Sequence, residues 1–219
     1  MVWEPPIAYT GAITGYLVES ALYCNYKSLL DARNSRKITP GEARKLTRRM
    51  LKTLNNVKKN GRSFVKSVLV GELEGYPVIV SPDAIYFVDG IPKAVIRSKI
   101  RKTQRHYRSD WASLMLASHI LSERYNIDTL TMALVLAVDK TRLMQALSLI
   151  KSGGAKPSLG NGWKVVTRIY SGIQELEELK GAINVIVGRE TPRLPHSNKC
   201  QKCVYNKICP WTSPIPMNS

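Results

Sequence analysis

The sequence predicts an α/β or α+β domain in which a mixed central sheet is flanked by helices. Three observations support this fold class. Apolar residues recur at helical spacing in the first quarter of the 219-residue chain. Between residues 64 and 99 the apolar period drops toward two, as in strands. From Thr131 onward, strand-like runs alternate with helical patterns, which is typical of sheets covered by helices.

Two helices are predicted ahead of the sheet. The first covers residues 14–33 and has Cys24 in its middle. The second begins after Thr39, because Thr-Pro-Gly-Glu combines a capping hydroxyl, a proline in the first turn and a capping-box carboxylate at Glu42. This second helix buries one apolar stripe and presents a basic stripe on its other side.

Four strand-like runs follow and predict a small, largely antiparallel sheet. They cover residues 64–70, 78–80, 83–88 and 93–99. Asp89-Gly90 predicts a hairpin between the last two runs, because both residue types tolerate a positive φ. A basic connector follows the last run.

The second half of the chain predicts alternating helices and strands. A helix is expected over residues 110–125, a strand over 131–138, a helix over 141–151, a strand over 163–170 and a helix opening at Ser171. We expect one compact unit with three parts: a helical region with the basic helix (1–62), the core (63–190) and a cysteine-bearing tail (191–219).

Positive charge is concentrated in two segments. The chain carries 33 Lys and Arg against 16 Asp and Glu, a net charge of +17. Residues 27–66 hold 13 basic and 2 acidic residues, and residues 93–108 hold 7 basic residues and no acidic one. This pattern favours a nucleic-acid partner over a merely solvated surface. The predicted nucleic-acid-binding residues are Arg44, Lys45, Arg48, Lys52, Arg101, Lys102 and Arg105.

The composition also excludes several classes of protein. Hydrophobic residues make up 44% of the chain, which is too many for a disordered protein. No run of about 18 apolar residues exists, so no transmembrane helix is predicted. The first residues lack a basic head followed by an apolar stretch, so we expect no signal peptide and a cytoplasmic location without membrane contact.

The four cysteines predict a metal site. Cys200 and Cys203 form a CxxC pair, Cys209 follows, and Cys24 lies far away in the first predicted helix. A cytosolic location disfavours stable disulfides. Four thiolates fit zinc or an iron–sulfur cluster equally well in ligand type, so the residues alone leave both open, with disulfides or free thiols as the lesser alternative. Either metal would fasten the tail to the first helix.

Two segments resemble the RecB-like iron–sulfur nucleases, which include the fourth family of CRISPR-associated (Cas) proteins. TGYLVESALYCNYKSLLDAR is similar to their first helix, and KCQKCVYNKICPW is similar to their three-cysteine ending. The resemblance covers nearly the whole chain and implies a RecB-like PD-(D/E)xK nuclease fold. It also implies that the cysteines form an iron–sulfur clasp, usually around a 4Fe–4S and sometimes a 2Fe–2S cluster. The implied ligands are Cys24, Cys200, Cys203 and Cys209.

These nucleases hold Mg²⁺ or Mn²⁺ with an Asp at the start of one strand and a Glu-x-Lys on the next. Alternate residues of a strand share a face, so the Glu and the Lys point together toward the Asp. Asp83 matches the family's Asp and Lys99 matches its Lys, but Arg97 stands in the Glu position. A guanidinium there repels a divalent cation. The sequence therefore predicts an Asp83–Arg97 ion pair and slow or absent cleavage.

Two further family motifs are missing. Residues 44–54 contain no His or Glu, which the family carries on an upstream helix. The family's Gln-x-x-x-Tyr motif is not found in residues 110–125, where Asp110 and Ser113 are the nearest polar candidates.

The resemblance implies a role in CRISPR antiviral defence. A relative of the CRISPR-associated exonuclease would trim or hold DNA with single-stranded or frayed ends during spacer acquisition, beside the integration proteins. The first alternative is a catalytically inactive paralogue that binds DNA or organises a complex. The second alternative is a zinc-stabilised basic protein without a DNA role.

Overall fold

The computed structural model describes residues 11–152, 162–192, 200, 203–207 and 209. Helices and strands alternate in mixed order, with a short 3-10 helix ahead of α4. In chain order they are β1 (Ile13–Thr14), α1 (Gly15–Tyr23), α2 (Asn25–Asn34), α3 (Pro40–Asn55), β2 (Arg62–Val65), β3 (Leu69–Leu73), β4 (Tyr76–Val80), β5 (Ala84–Val88), β6 (Ile91–Ile100), the 3-10 helix (Arg108–Trp111), α4 (Ala112–Tyr125), β7 (Leu130–Ala137), α5 (Lys140–Ser152), β8 (Trp163–Tyr170) and α6 (Ile173–Ile186).

The strands form two sheets. Five strands pair in the order β2-β5-β6-β7-β8, and within this sheet only β6 and β7 are parallel. Three strands pair in the order β1-β4-β3, with β1 parallel to β4. The mixture of sheet and helices confirms the predicted α/β class. The predicted strand over residues 64–70 is interrupted at residues 66–68, so β2 and β3 belong to different sheets.

Two local signals place their elements as predicted. The amide of Glu42 donates to Oγ1 of Thr39 at 3.2 Å, and the Glu42 carboxylate accepts from the Thr39 amide at 2.9 Å, which completes the capping box of α3. Asp89 and Gly90 have φ angles of 51° and 78°. The two-residue turn between β5 and β6 requires such angles.

The helix predicted over residues 14–33 is two helices. Cys24 lies between α1 and α2 in an extended conformation, with φ −160° and ψ 114°. Its predicted position inside a helix is therefore wrong. Each of the two helices buries its own apolar residues, such as Leu17 in α1 and Leu29 in α2. Because the apolar spacing continues across the break, periodicity could not reveal it.

The five-stranded sheet separates two apolar layers. One face packs against α4, and the main core on that side includes Val95 of β6 and extends to α1 and α6. The other face carries a smaller cluster that includes Ile96 and packs with α5. Since side chains alternate along a strand, Arg97 and Lys99 share the face of Val95. β6 therefore directs both basic side chains toward α1 and α4.

Candidate functional site

Lys99 bridges two carboxylates that come from different helical segments. Its Nζ lies 2.8 Å from Oε2 of Glu19 on α1 and 3.2 Å from Oδ1 of Asp110, just ahead of α4. The exposed fraction is 21% for the Lys99 side chain, 14% for Glu19 and 0% for Asp110. The Lys99 ammonium group thus occupies the space between the carboxylates of Glu19 and Asp110.

Arg97 also binds Glu19. Its Nη2 lies 3.5 Å from Oε1 of Glu19, and its Nη1 donates to the carbonyl of Ser81 at 3.1 Å. The hydroxyl of Ser113 donates to the same Glu19 oxygen at 2.5 Å. Glu19 therefore accepts from two cations and a hydroxyl, and its charge is compensated by the chain itself.

The carboxylate of Asp110 is the most buried of these charged groups. Both terminal nitrogens of Arg101 donate to its carboxylate, and the amide of Tyr107 donates to it at 2.8 Å. Burial opposes the charged form of Asp110. The hydrogen bonds from Arg101 and Tyr107 and the charge of Lys99 outweigh burial and lower the pKa. Asp110 thus remains a charged partner of the cations around it.

Asp83 takes a different partner from the predicted one. Its Oδ2 accepts the amide of Ser98 at 2.6 Å and the Ser98 hydroxyl at 2.8 Å. Among the described residues, Arg97 forms its ion pair with Glu19 and none with Asp83. The expected Asp83–Arg97 pair is therefore replaced. The physical reason is that Ser98 offers Asp83 two donors at the strand start, while Arg97 turns with Lys99 toward α1.

Glu19 was missed by the sequence analysis. It lies on α1 among buried neighbours, and a carboxylate in such a place needs a partner. That signal could have found it. Asp110 and Ser113, named only as the nearest polar candidates, both lie in the cluster. We call Glu19, Arg97, Lys99, Arg101, Asp110 and Ser113 the ion-pair cluster.

The basic helix presents its charges to solvent. The four predicted DNA-binding residues of α3 are exposed, while Met50 and Leu54 on the same helix are buried. They are Arg44, Lys45, Arg48 and Lys52. In the connector, Lys102 and Arg105 are exposed as well. Arg101 differs, because its guanidinium is held by Asp110 and lies 4.7 Å from the centroid of the Tyr107 ring.

Three of the four cysteines lie in one region. Burial raises the pKa of the Cys24 thiol, and the charges of Cys200 and Cys203 add to the rise. Cys209 is buried. Within the described ranges, no three side chains of His, Cys, Asp or Glu are arranged to hold a metal ion. The four thiols suit zinc or an iron–sulfur cluster in ligand type, but the described thiols do not form a closed ligand shell.

A hydrogen bond attaches the tail to α2. The hydroxyl of Tyr205 donates to Oδ1 of Asp31 at 2.8 Å. Asp31 is buried in α2 and also accepts from Ser20 and Lys27. Burial opposes its charged form, but the hydrogen bonds from Lys27, Ser20 and Tyr205 together lower its pKa. The tail is thus held at the α1–α2 junction by an interaction that needs no metal.

The comparisons with known proteins give little. No protein-family model matches the chain, and no curated protein matches it. Solved structures similar to the chain include one described as "Crystal structure of SSO0001". It has a TM-score of 0.42 and 12% identity, with 97% of this chain and 89% of that chain covered. A likeness of this size carries no conclusion about function. In the part of the chain that the structure describes, no helix is long and apolar enough to cross a membrane.

The lowered pKa values of Asp110 and Asp31 predict a loss of stability in acid. A carboxylate with a depressed folded pKa stabilises the fold above its unfolded pKa of about 3.9, and this contribution is lost as the pH falls through the folded pKa. We expect Asp110→Asn to lower the free energy of unfolding by about 2 kcal/mol at pH 7, because its cations lose their partner.

Urea unfolding followed by circular dichroism at pH 7 and at several values below pH 5 tests this. The wild type should lose more stability on acidification than Asp110→Asn does. The exposed Asp128→Asn serves as the control and should follow the wild type. Parallel acid curves for wild type and Asp110→Asn would contradict the expectation.

Proposed function

We propose that the protein binds DNA on a nuclease-type scaffold and cleaves it slowly or not at all. The ion-pair cluster is the observation that carries this proposal. Glu19 and Asp110 are already compensated by fixed cations of the chain, and Asp83 is held by Ser98. In the described region around β6, each carboxylate that a divalent metal would need thus has a donor from the chain.

The cluster opposes a metal for two reasons. Mg²⁺ prefers octahedral oxygen coordination through carboxylates and water. A metal at Glu19 would meet the charges of Arg97 and Lys99 within a few ångströms, where like charges repel strongly at low dielectric. Displacing Lys99 from its two carboxylates would leave a poorly solvated cation without a partner, which is strongly destabilising.

The same charges suit a phosphate backbone. Three cations face two carboxylates in the cluster, so it carries a net positive charge even with every ion pair formed. Arg97 is 29% exposed and Lys99 is 21% exposed, so solvent reaches both. The exposed basic stripe of α3 adds four further cations. Contacts of this kind bind nucleic acid with little sequence preference.

We further propose that Cys24, Cys200, Cys203 and Cys209 hold an iron–sulfur cluster, as the resemblance to the RecB-like nucleases implies. Four thiols are the donor set such a cluster takes. Burial raises the pKa of Cys24, and Cys200 and Cys203 lie near enough for their charges to add to the rise. When bound, the cluster would cross-link the tail to the α1–α2 junction. Tyr205 already attaches the tail there through Asp31.

The biological setting follows from the resemblance alone. Single-stranded or frayed DNA ends are the proposed substrate, and CRISPR integration proteins are the proposed partners. A protein that holds such ends without degrading them would act as a binding subunit, which is the inactive-paralogue alternative. We favour this alternative because fixed cations of the chain already compensate Glu19 and Asp110.

We expect salt-sensitive DNA binding through α3. The variant with Arg44, Lys45, Arg48 and Lys52 all changed to Gln should bind more weakly to every sequence. Each lost phosphate contact should reduce the slope of log K against log salt by about 0.9 on duplex DNA and about 0.7 on single strands. Fluorescence anisotropy over a salt series measures both quantities. A control variant changes four exposed cations elsewhere to Gln, namely Arg124, Lys140, Arg142 and Arg189. Equal slopes for the two variants would show that α3 is only a solvated face.

We expect wild-type protein to show little cleavage with Mg²⁺ or Mn²⁺. Arg97→Glu should bind Mn²⁺ at least about tenfold more tightly than wild type, because it removes a repelling charge and adds an oxygen ligand beside Glu19. Arg97→Gln removes the charge without adding the carboxylate, so it separates the two effects. Calorimetric Mn²⁺ titrations and a nuclease assay make the measurement. Rapid wild-type cleavage that Asp83→Ala abolishes would refute the proposal.

We expect anaerobically purified protein to be brown and to contain iron and sulfide. Serine at Cys24, Cys200, Cys203 or Cys209 should reduce the colour and make the tail more sensitive to protease. Tyr205→Phe removes the Asp31 hydrogen bond but no thiol. This variant should therefore keep the iron, and its tail should lose only part of its resistance to protease. Colourless protein with stoichiometric zinc would support the zinc alternative and refute the iron–sulfur proposal.

A further inference from the structure

A cavity of about 740 Å³ opens on the face of the five-stranded sheet opposite to the ion-pair cluster. Its floor is formed by Ala94 and Ile96 of β6 and by Ala133 of β7. The two alanine side chains are small, so they leave space above the middle of the sheet between the larger side chains of the outer strands. Ile150 at the end of α5 closes one side. A volume of this size lies within the range of about 300–1,000 Å³ found for small-molecule sites.

Two aromatic rings form a wall of this cavity. Phe64 of β2 and Tyr86 of β5 are direct cross-strand partners. Their ring centroids are 4.8 Å apart and their planes are tilted by 32°. Both side chains are only half-buried, so ring surface stays accessible. Accessible aromatic faces in a concave site favour planar ligands, which stack on them.

The rim of the cavity is cationic. Arg62, two residues before Phe64 on the same face of β2, and Lys151 of α5 are exposed lining residues. Neither forms an ion pair within the described residues, in contrast to the cations of the ion-pair cluster. The hydroxyls of Ser152 and Thr167 also line the site, and none of its described lining residues is acidic.

We propose that this cavity binds one nucleotide unit, with the base against Phe64 and Tyr86 and the phosphate at Arg62 and Lys151. The lining selects for this class of ligand in two ways. The apolar floor and aromatic wall favour a planar ring over bare phosphate, and the cations of Arg62 and Lys151 favour an anion over a neutral nucleoside. A free mononucleotide and the terminal nucleotide of a single strand share this chemistry. The inference does not rest on the proposed function, because the cavity shares no residue with the ion-pair cluster or α3.

Calorimetric titration of the full chain with thymidine monophosphate (dTMP), thymidine and inorganic phosphate tests the site. We expect dTMP to bind more tightly than either half-ligand. Lys151→Gln should weaken dTMP binding about fivefold, as the loss of one charge-assisted contact implies. Lys140→Gln removes the same charge from the same helix outside the cavity and should leave the affinity unchanged. Ala94→Leu should abolish binding by filling the floor, and Lys151→Gln keeps the test valid if that variant fails to fold.

Oligo(dT) of about ten nucleotides with a free or a blocked 5′-phosphate separates the two sources of the ligand. In one outcome, Lys151→Gln binds the oligonucleotide with the free 5′-phosphate more weakly than wild type does and binds the blocked one equally well. That result assigns the site to strand ends. An effect on dTMP alone assigns it to free nucleotides. The absence of dTMP binding at millimolar concentration, or equal affinity in Lys151→Gln and wild type, would overturn the inference. The α3 quadruple variant should bind dTMP as tightly as wild type does. The dTMP titration therefore tests the cavity independently of DNA binding through α3.

Discussion

The contact of Lys99 with Glu19 and Asp110 connects three elements that are distant in sequence. The backbone of Lys99 belongs to β6, while its two partners lie on α1 and just before α4. Charges with so little exposure must be paired, because an unpaired one loses its hydration without compensation. The contact therefore constrains how both helices lie on the sheet, and the packing of α1 and α4 in the main core depends on charges as well as on apolar contacts.

The same contact determines the chemistry of the site. A metal would draw Glu19 and Asp110 together through an exchangeable ion, whereas Lys99 does so through a covalently attached one. The tethered ammonium cannot leave, cannot activate a water molecule, and holds its carboxylates in ion pairs of fixed geometry. Arg97 reinforces this state from the same strand face. What remains available to solvent is excess positive charge, and the proposal that the protein holds DNA without cleaving it rests on this excess.

Local features of the fold could be predicted from the sequence, and distant partnerships could not. The α3 cap at Thr39 and the turn at Asp89-Gly90 depend on neighbouring residues, and both occur where expected. The helix break at Cys24 stayed hidden because apolar spacing continues across it. Glu19 was missed because Lys99 lies 80 residues away. Strand alternation placed Arg97 and Lys99 on one face correctly, but it could not show that Ser98 offers Asp83 a better partner.

β6 supplies residues to both faces of the sheet, and this fixes its register. Arg97 and Lys99 enter the ion-pair cluster, while Ala94 and Ile96 form the floor of the cavity on the other side. A slip of one residue would turn every side chain of β6 to the opposite face. Arg97 would then be buried against the alanines of the α5 layer, and Ile96 would lie among carboxylates. Both outcomes carry a large desolvation cost, so the ion pairs around Lys99 also hold the strand in the register that forms the cavity.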